Sequence, residues 1–228
     1  MRARVLVEAV LACVGLLVFV LLARAYVDGG LVVSFDDNVS RWVADTVPGW
    51  IEQLARVVTW LGGAIGAGIV TAVALVVLWR ANRRADLVFL AAAVAGITVL
   101  VPVLKAVYER ARPDLGSAIP LPHSYSFPSG HAATALVLYG ALGILLAERA
   151  SSRLRAAGWL VGAALLALAI GTSRVLLNVH FVSDVAAGFA VGLAWLCCCA
   201  IVREMTRSDV MRREASASPQ GSSSTGHS

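Results

Sequence analysis

The sequence predicts an all-α, polytopic membrane protein with six transmembrane helices. Three observations predict it. The chain is 59% hydrophobic, with a mean hydropathy of +0.80. Only 14% of its residues are charged, against about a quarter in an average soluble domain. Six apolar stretches follow one another, and basic residues gather at alternate ends of them.

The stretches cover residues 5–23, 57–79, 87–107, 132–147, 159–177 and 182–202. Most come near the ~20 residues that cross a bilayer, and the fourth borrows its flanks. Backbone groups in lipid must be satisfied within the segment, so each stretch reads as a helix. The first follows Arg2 and Arg4 and ends in Ala23-Arg24-Ala25, loosely mimicking a cleaved signal peptide. Its apolar run exceeds a usual signal core, so it is read as a retained anchor. Residues 26–55 form an outer connection, where Trp42, Val43, Val47, Trp50, Ile51 and Leu54 mark an amphipathic segment in the interface. One domain is expected over 1–215. Residues 216–228, rich in Ser and Gly, are expected to be a disordered tail.

Charge distribution sets the orientation. With the N-terminus inside, the inner ends carry twelve of the 19 basic residues and the outer ends seven. Both termini then lie in the cytoplasm of a multi-pass plasma-membrane protein. The net charge of +5 is explained by topology, without a nucleic-acid partner. No obligate protein partner is evident. Cys13, Cys197, Cys198 and Cys199 sit in apolar runs without CxxC spacing, and read as small apolar filler, with S-acylation the alternative. Glu8 has no partner evident in the sequence and reads as interfacial.

Polar residues at membrane depth are costly and ask for a reason. Here they collect at one end of helices 3 to 6, which loop parity places outside. Helix 3 closes on Lys105 to Arg112-Pro113, and helix 4 opens with Pro128-Ser129-Gly130-His131. Helix 5 closes on Ser173-Arg174, and helix 6 opens with His180 and Asp184. Lys105 and Arg112 stand seven apart, so a helix reaching Arg112 and stopped by Pro113 shows both on one face. Arg174 joins them as a third cation suited to phosphate oxygens. Ser129 is a natural N-cap, Gly130 permits close approach of an anion, and a helix N-terminus offers free amides. His180 and Asp184 are four apart, as neighbours on one helical face, and a carboxylate behind an imidazole fixes its tautomer. Singly each piece has a bland explanation: Lys105 could snorkel, His131 could be a polar helix start, and His180 with Asp184 could be a structural pair or metal ligands.

Together, Lys105-x6-Arg112-Pro113, Pro128-Ser129-Gly130-His131 and Ser173-Arg174-x5-His180-x3-Asp184 resemble the three-part signature of the type 2 phosphatidic acid phosphatase family, within the lipid phosphate phosphatase and vanadium haloperoxidase-like superfamily. The signature spans 105–184, and no position departs from it. The resemblance implies a metal-independent lipid phosphatase, without cofactor, working through a phosphohistidine intermediate. His180 would be the nucleophile, Asp184 its orienting partner, and His131 the acid and then base. Lys105, Arg112, Ser129, Gly130 and Arg174 would bind the phosphate, with Pro113, Pro128 and Ser173 supporting the motifs. The expected substrate is a lipid phosphate in the bilayer. An undecaprenyl-type diphosphate leads, with phosphatidate and phosphatidylglycerol phosphate beside it. A lipid phosphotransferase could use the same histidine chemistry. A transporter or flippase would place charges at midspan with broken helices, whereas these lie near one face. Vanadium haloperoxidases share the signature but are soluble, which the six spans oppose.

Overall fold

The computed structural model describes residues 2–121 and 123–217, and among them the chain is all helix and loop. Eight helices follow in order: α1 (Arg2–Val27), α2 (Leu31–Thr46), α3 (Gly49–Trp60), α4 (Ala64–Arg80), α5 (Arg84–Tyr108), α6 (Gly130–Ala147), α7 (Arg153–Leu176) and α8 (Val182–Ala217). Five of them, α1, α5, α6, α7 and α8, are long and apolar enough to cross a membrane. A bent pair, α3 and α4 at 40° to each other, is long and apolar enough for a sixth when taken as one span. The all-helical, multi-pass architecture expected from the sequence is therefore present, with five to six candidate spans, and the stretch expected as the second span is broken into two helices. Side chains such as Leu6, Leu17, Val73, Val77, Leu165 and Leu168 point outward, as lipid-facing positions should.

α6 and α8 form the centre of the bundle, with small residues at their crossing. Ala132, Ala133, Ala135 and Ala187 are fully buried. A Cβ added at Gly188 would lie 2.5 Å from the Ser129 carbonyl oxygen, so only glycine lets α8 approach the start of α6 this closely. The α3–α4 break is pinned from two sides. Tyr139 Oη donates to the Leu61 carbonyl at 2.9 Å. A Cβ on Gly62 would strike Ile170 of α7 at 2.3 Å.

The connection at 26–55 is two helices, separated at Val47-Pro48, where proline begins α3 and denies α2 a continuation. Trp42, Trp50 and Leu54 are exposed as expected, but Val43 faces the protein and is buried. At the far end of the bundle, Glu148 accepts from Arg4 of α1 at 2.8 Å and from Arg203 of α8 at 2.8 and 3.0 Å. Arg203 also bonds Asp86 of α5. Burial pushes the Glu148 carboxyl up, but these guanidinium bonds outweigh it and hold it down at about 2. Glu8 is not isolated: it pairs with Arg4 at 3.1 Å in this cluster. α8 runs to Ala217, so the expected tail loses its first two residues to helix, and 218–228 lie outside the described residues.

Candidate active site

The site is built where the C-terminal ends of α5 and α7 meet the N-terminal ends of α6 and α8. The α5–α6 loop is fastened by Phe127, fully buried, whose ring packs against Phe19 at 5.8 Å, Tyr26 at 5.8 Å and Tyr108 at 5.1 Å. That anchor fixes Ser126 on one side and Pro128-Ser129 on the other, all buried. The Ser129 amide donates to the Asp184 carbonyl at 2.9 Å, which ties the start of α6 to the first turn of α8.

α5 stops earlier than the sequence suggested. Glu109 takes a left-handed conformation (φ 47°, ψ 29°) and its amide closes on the Lys105 carbonyl at 3.0 Å. Lys105 and Arg112 therefore do not share a helical face, and Pro113, buried in the loop, is not what ends the helix. Arg112 instead returns to the site through the loop. It donates to the carbonyls of Ser124 at 2.8 Å and Val179 at 2.7 Å. Lys105 is buried and donates to the carbonyls of Tyr125 and, at 3.3 Å, Ser126. Lys105, Arg112 and Arg174 are close enough for their charges to act on one another.

His180 also departs from expectation. α8 begins at Val182, so His180 precedes the helix and the pair is not made across a helical face. It is made by capping geometry: Asp184 Oδ2 reaches back to accept from the Phe181 amide at 3.0 Å and lies 3.3 Å from His180 Nδ1. Asn178 supplies the turn that makes this possible, at φ 51°, a conformation asparagine tolerates. The amides of Val179 and His180 then donate to the Arg174 carbonyl at 3.2 and 3.3 Å.

The tautomer of His180 follows from its neighbours. Arg112 Nη1 lies 3.1 Å from Nε2, and a guanidinium can only donate. Nε2 is thus the bare nitrogen, and Nδ1 carries the proton toward Asp184. Burial pushes the His180 imidazole down to about 4, with the Asp184 bond opposing. The ring is neutral at pH 7, with an unprotonated Nε2 facing Arg112.

Two buried polar atoms at this place have no hydrogen-bond partner among the described residues: Ser129 Oγ and Arg174 Nε. Ser129 occupies the N-cap position of α6, but its hydroxyl makes no cap bond. The first amides of α6, from Gly130 and His131 onward, lack intrahelical acceptors by position. Arg174 is anchored through Nη1 to Thr59 Oγ1 of α3 at 2.8 Å. His131 stands beside the α3–α4 break, its Nε2 3.4 Å from where a Gly63 Cβ would be. Ser173 turns away and donates to its own helix at the Ile170 carbonyl, 2.6 Å. A buried hydroxyl and a buried guanidine nitrogen, both unpaired beside three cations, suit an anion with several acceptor oxygens.

The structure thus brings together His180, Asp184, Lys105, Arg112, Arg174, Ser129, Gly130 and His131. Sequence reasoning missed several residues that support these side chains. Thr59 fastens Arg174. Ser126 donates to Asp184 Oδ2. Arg110 reaches Asp184 Oδ1 at 2.7 Å. Thr59 and Ser126 carry no sequence signal. Arg110 could have been flagged as a basic residue on the site side that the motifs leave unassigned.

The chain is similar to known proteins. Residues 86–208 match the PAP2 superfamily. Phosphatidylglycerophosphatase B of Bacillus subtilis is 30% identical over 193 residues, covering 79% of this chain and 89% of that protein. The crystal structure of a transmembrane PAP2-type phosphatidylglycerolphosphate phosphatase from Bacillus subtilis superposes with a TM-score of 0.79 at 26% identity, covering 85% of this chain and 96% of the other. Aquifex aeolicus LpxE superposes with a TM-score of 0.57 at 25% identity, covering 74% and 93%. With the three motifs gathered at one end of a multi-pass bundle, the chain belongs to the PAP2 superfamily and is a membrane lipid phosphatase.

Proposed function

We propose that this phosphatase works through a phosphohistidine on His180 and that its substrate is phosphatidylglycerol phosphate. The observation that carries the mechanism is the placement of the His180 ring, with Arg112 Nη1 3.1 Å from Nε2 and Asp184 Oδ2 3.3 Å from Nδ1, an arrangement that leaves Nε2 bare. The phosphate monoester is held by Lys105, Arg112, Arg174, Ser129 Oγ and the Gly130 and His131 amides. His180 Nε2 attacks phosphorus and the bond to the lipid oxygen breaks. His131 donates its proton to that oxygen and the lipid alcohol leaves. A water then gives a proton back to His131 as it attacks the phosphohistidine, which frees inorganic phosphate and restores His180. Fixed cations and amides stabilise the charge that builds on the phosphoryl oxygens.

The substrate choice rests on the relatives, whose names specify phosphatidylglycerol phosphate. It displaces the undecaprenyl-type diphosphate favoured by sequence reasoning. The test is phosphate release by purified protein in detergent from phosphatidylglycerol phosphate, phosphatidate and undecaprenyl diphosphate. The highest kcat/KM is expected with the first, and a clear preference for either of the others rejects the assignment.

The active site is proposed to face outward, on the side opposite the two termini, because the basic residues divide twelve to seven. Asp114 is exposed on the α5–α6 loop. Cysteine at that position should react with a membrane-impermeant thiol reagent on intact cells, and labelling only after lysis would reverse the topology.

A further inference from the structure

We infer that Asp36 and Arg110 are positioning residues for the reaction, forming a buried charge bridge that holds Asp184 behind His180 and leaves its negative charge available to that ring. The inference rests on the proposed roles of His180 and Asp184.

Arg110 lies just beyond α5, and its guanidinium spans two carboxylates. Nη1 donates to Asp184 Oδ1 at 2.7 Å and Nη2 to Asp36 Oδ2 at 2.8 Å. The Arg110 side chain is 4% exposed, and both carboxylates are fully buried. Its guanidinium carbon lies over the ring of Tyr26, 4.7 Å from the ring centre, and over that of Phe181, 4.1 Å away. Asp36 comes from α2, the connection that reads in the sequence as a mere interfacial segment. It also grips the start of α8: Oδ1 accepts from the Ser183 amide at 3.0 Å, and Oδ2 accepts from the Ser183 hydroxyl. One side chain of α2 thus fixes both the guanidinium and the helix end that carries Asp184.

Charge counting gives the reason for a bridge of three. When His180 Nε2 bonds to phosphorus while Nδ1 keeps its proton, the ring becomes cationic. Asp184 stabilises that cation only if its negative charge is not spent elsewhere. Arg110 alone would neutralise it. Asp36 supplies the second carboxylate, so two anions and one guanidinium leave one net negative charge facing His180. A buried charge without a partner is costly, and the closed bridge satisfies all three groups. Lysine could not replace Arg110, because a point ammonium lacks the flat fork that reaches both acids while contacting two aromatic rings.

The test is a double-mutant cycle on phosphate release from phosphatidylglycerol phosphate in detergent, with wild type, Arg110→Lys, Asp184→Asn and the double variant. Arg110→Lys is expected to lower kcat about 10–100-fold, the range for losing a hydrogen-bonding partner behind a functional group. KM should stay nearly constant, as should inhibition by inorganic vanadate, because the groups proposed to bind phosphate are intact. In the Asp184→Asn background the same change should cost nothing further, since Arg110 acts through Asp184. Asp36→Asn, close to isosteric, repeats the cycle should Arg110→Lys fail to fold, with the same expected pattern and vanadate inhibition certifying an intact site. Equal losses in both backgrounds, or wild-type kcat in Asp36→Asn, would overturn the inference. Wild-type turnover by Asp184→Asn would instead remove the His180–Asp184 reading beneath it, and the inference with it.

Discussion

His180→Ala is expected to lower kcat by about 10³-fold or more, the scale on which removal of a nucleophile acts, while leaving insertion and folding intact. The loss is large because no other group offers the same combination. His180 presents an unprotonated Nε2 beside Arg112 and a proton on Nδ1 directed at a buried carboxylate. His131 has no hydrogen-bonded acid behind it among the described residues. Folding should survive because the amides of residues 179 and 180, not the imidazole, tie this turn to Arg174. The pH dependence has a definite sign. Burial sets the folded imidazole at about 4, below the unfolded value of about 6.5. The neutral nucleophile is therefore present at pH 7 and is lost as pH falls through about 4. Stability linked to the neutral ring starts to fall earlier, below the unfolded value. Phosphate release by the purified variant above a few per cent of wild type would remove His180 from the nucleophile's place.

Lys105→Ala is expected to cost on the order of 10²-fold in kcat/KM, by analogy with deleting one preorganised donor to a developing oxyanion. Lys105→Arg should lose most of its activity as well. An ammonium has three N–H donors. Two go to the carbonyls of Tyr125 and Ser126, which leaves one for a phosphate oxygen. A guanidinium in this buried place would need a wider fork where the compact ammonium fits between loop carbonyls. The chain has 19 basic residues, and Lys105 is its one lysine, which argues that this position does not accept a generic cation. Near-normal activity in Lys105→Arg would refute the need for an ammonium, and near-normal activity in Lys105→Ala would remove the residue from the phosphate site.

Much of this was legible in the sequence because lipid leaves so few choices. Apolar runs of bilayer length must be helices, and the parity of six crossings forces the α5–α6 and α7–α8 loops to one end. The motif residues could therefore be placed together before any geometry was known. What stayed hidden is tertiary. The left-handed Glu109 ends α5 four residues before Pro113, so the spacing of Lys105 and Arg112 misleads as a helical period. The break at Gly62-Gly63 lies within a continuous apolar run, and nothing local marks it except two glycines. The bonds of Thr59 to Arg174 and Ser126 to Asp184 join residues distant in sequence through common side chains that advertise nothing. Asp36 lies in the outer connection outside the three motifs, and only the packing of α2 against α8 gives it a place.

The most direct test of the central claim is to trap the intermediate. The purified enzyme is mixed with phosphatidylglycerol phosphate, quenched in alkaline denaturant, where phosphohistidine survives and acyl phosphates do not, and mapped by peptide mass spectrometry. A single phosphoryl group on His180, absent from His180→Ala and lost by hydrolysis when the quench is delayed until the substrate is exhausted, is the predicted result. A phosphoryl group on His131 or another residue, or none at any time during rapid turnover, would contradict it.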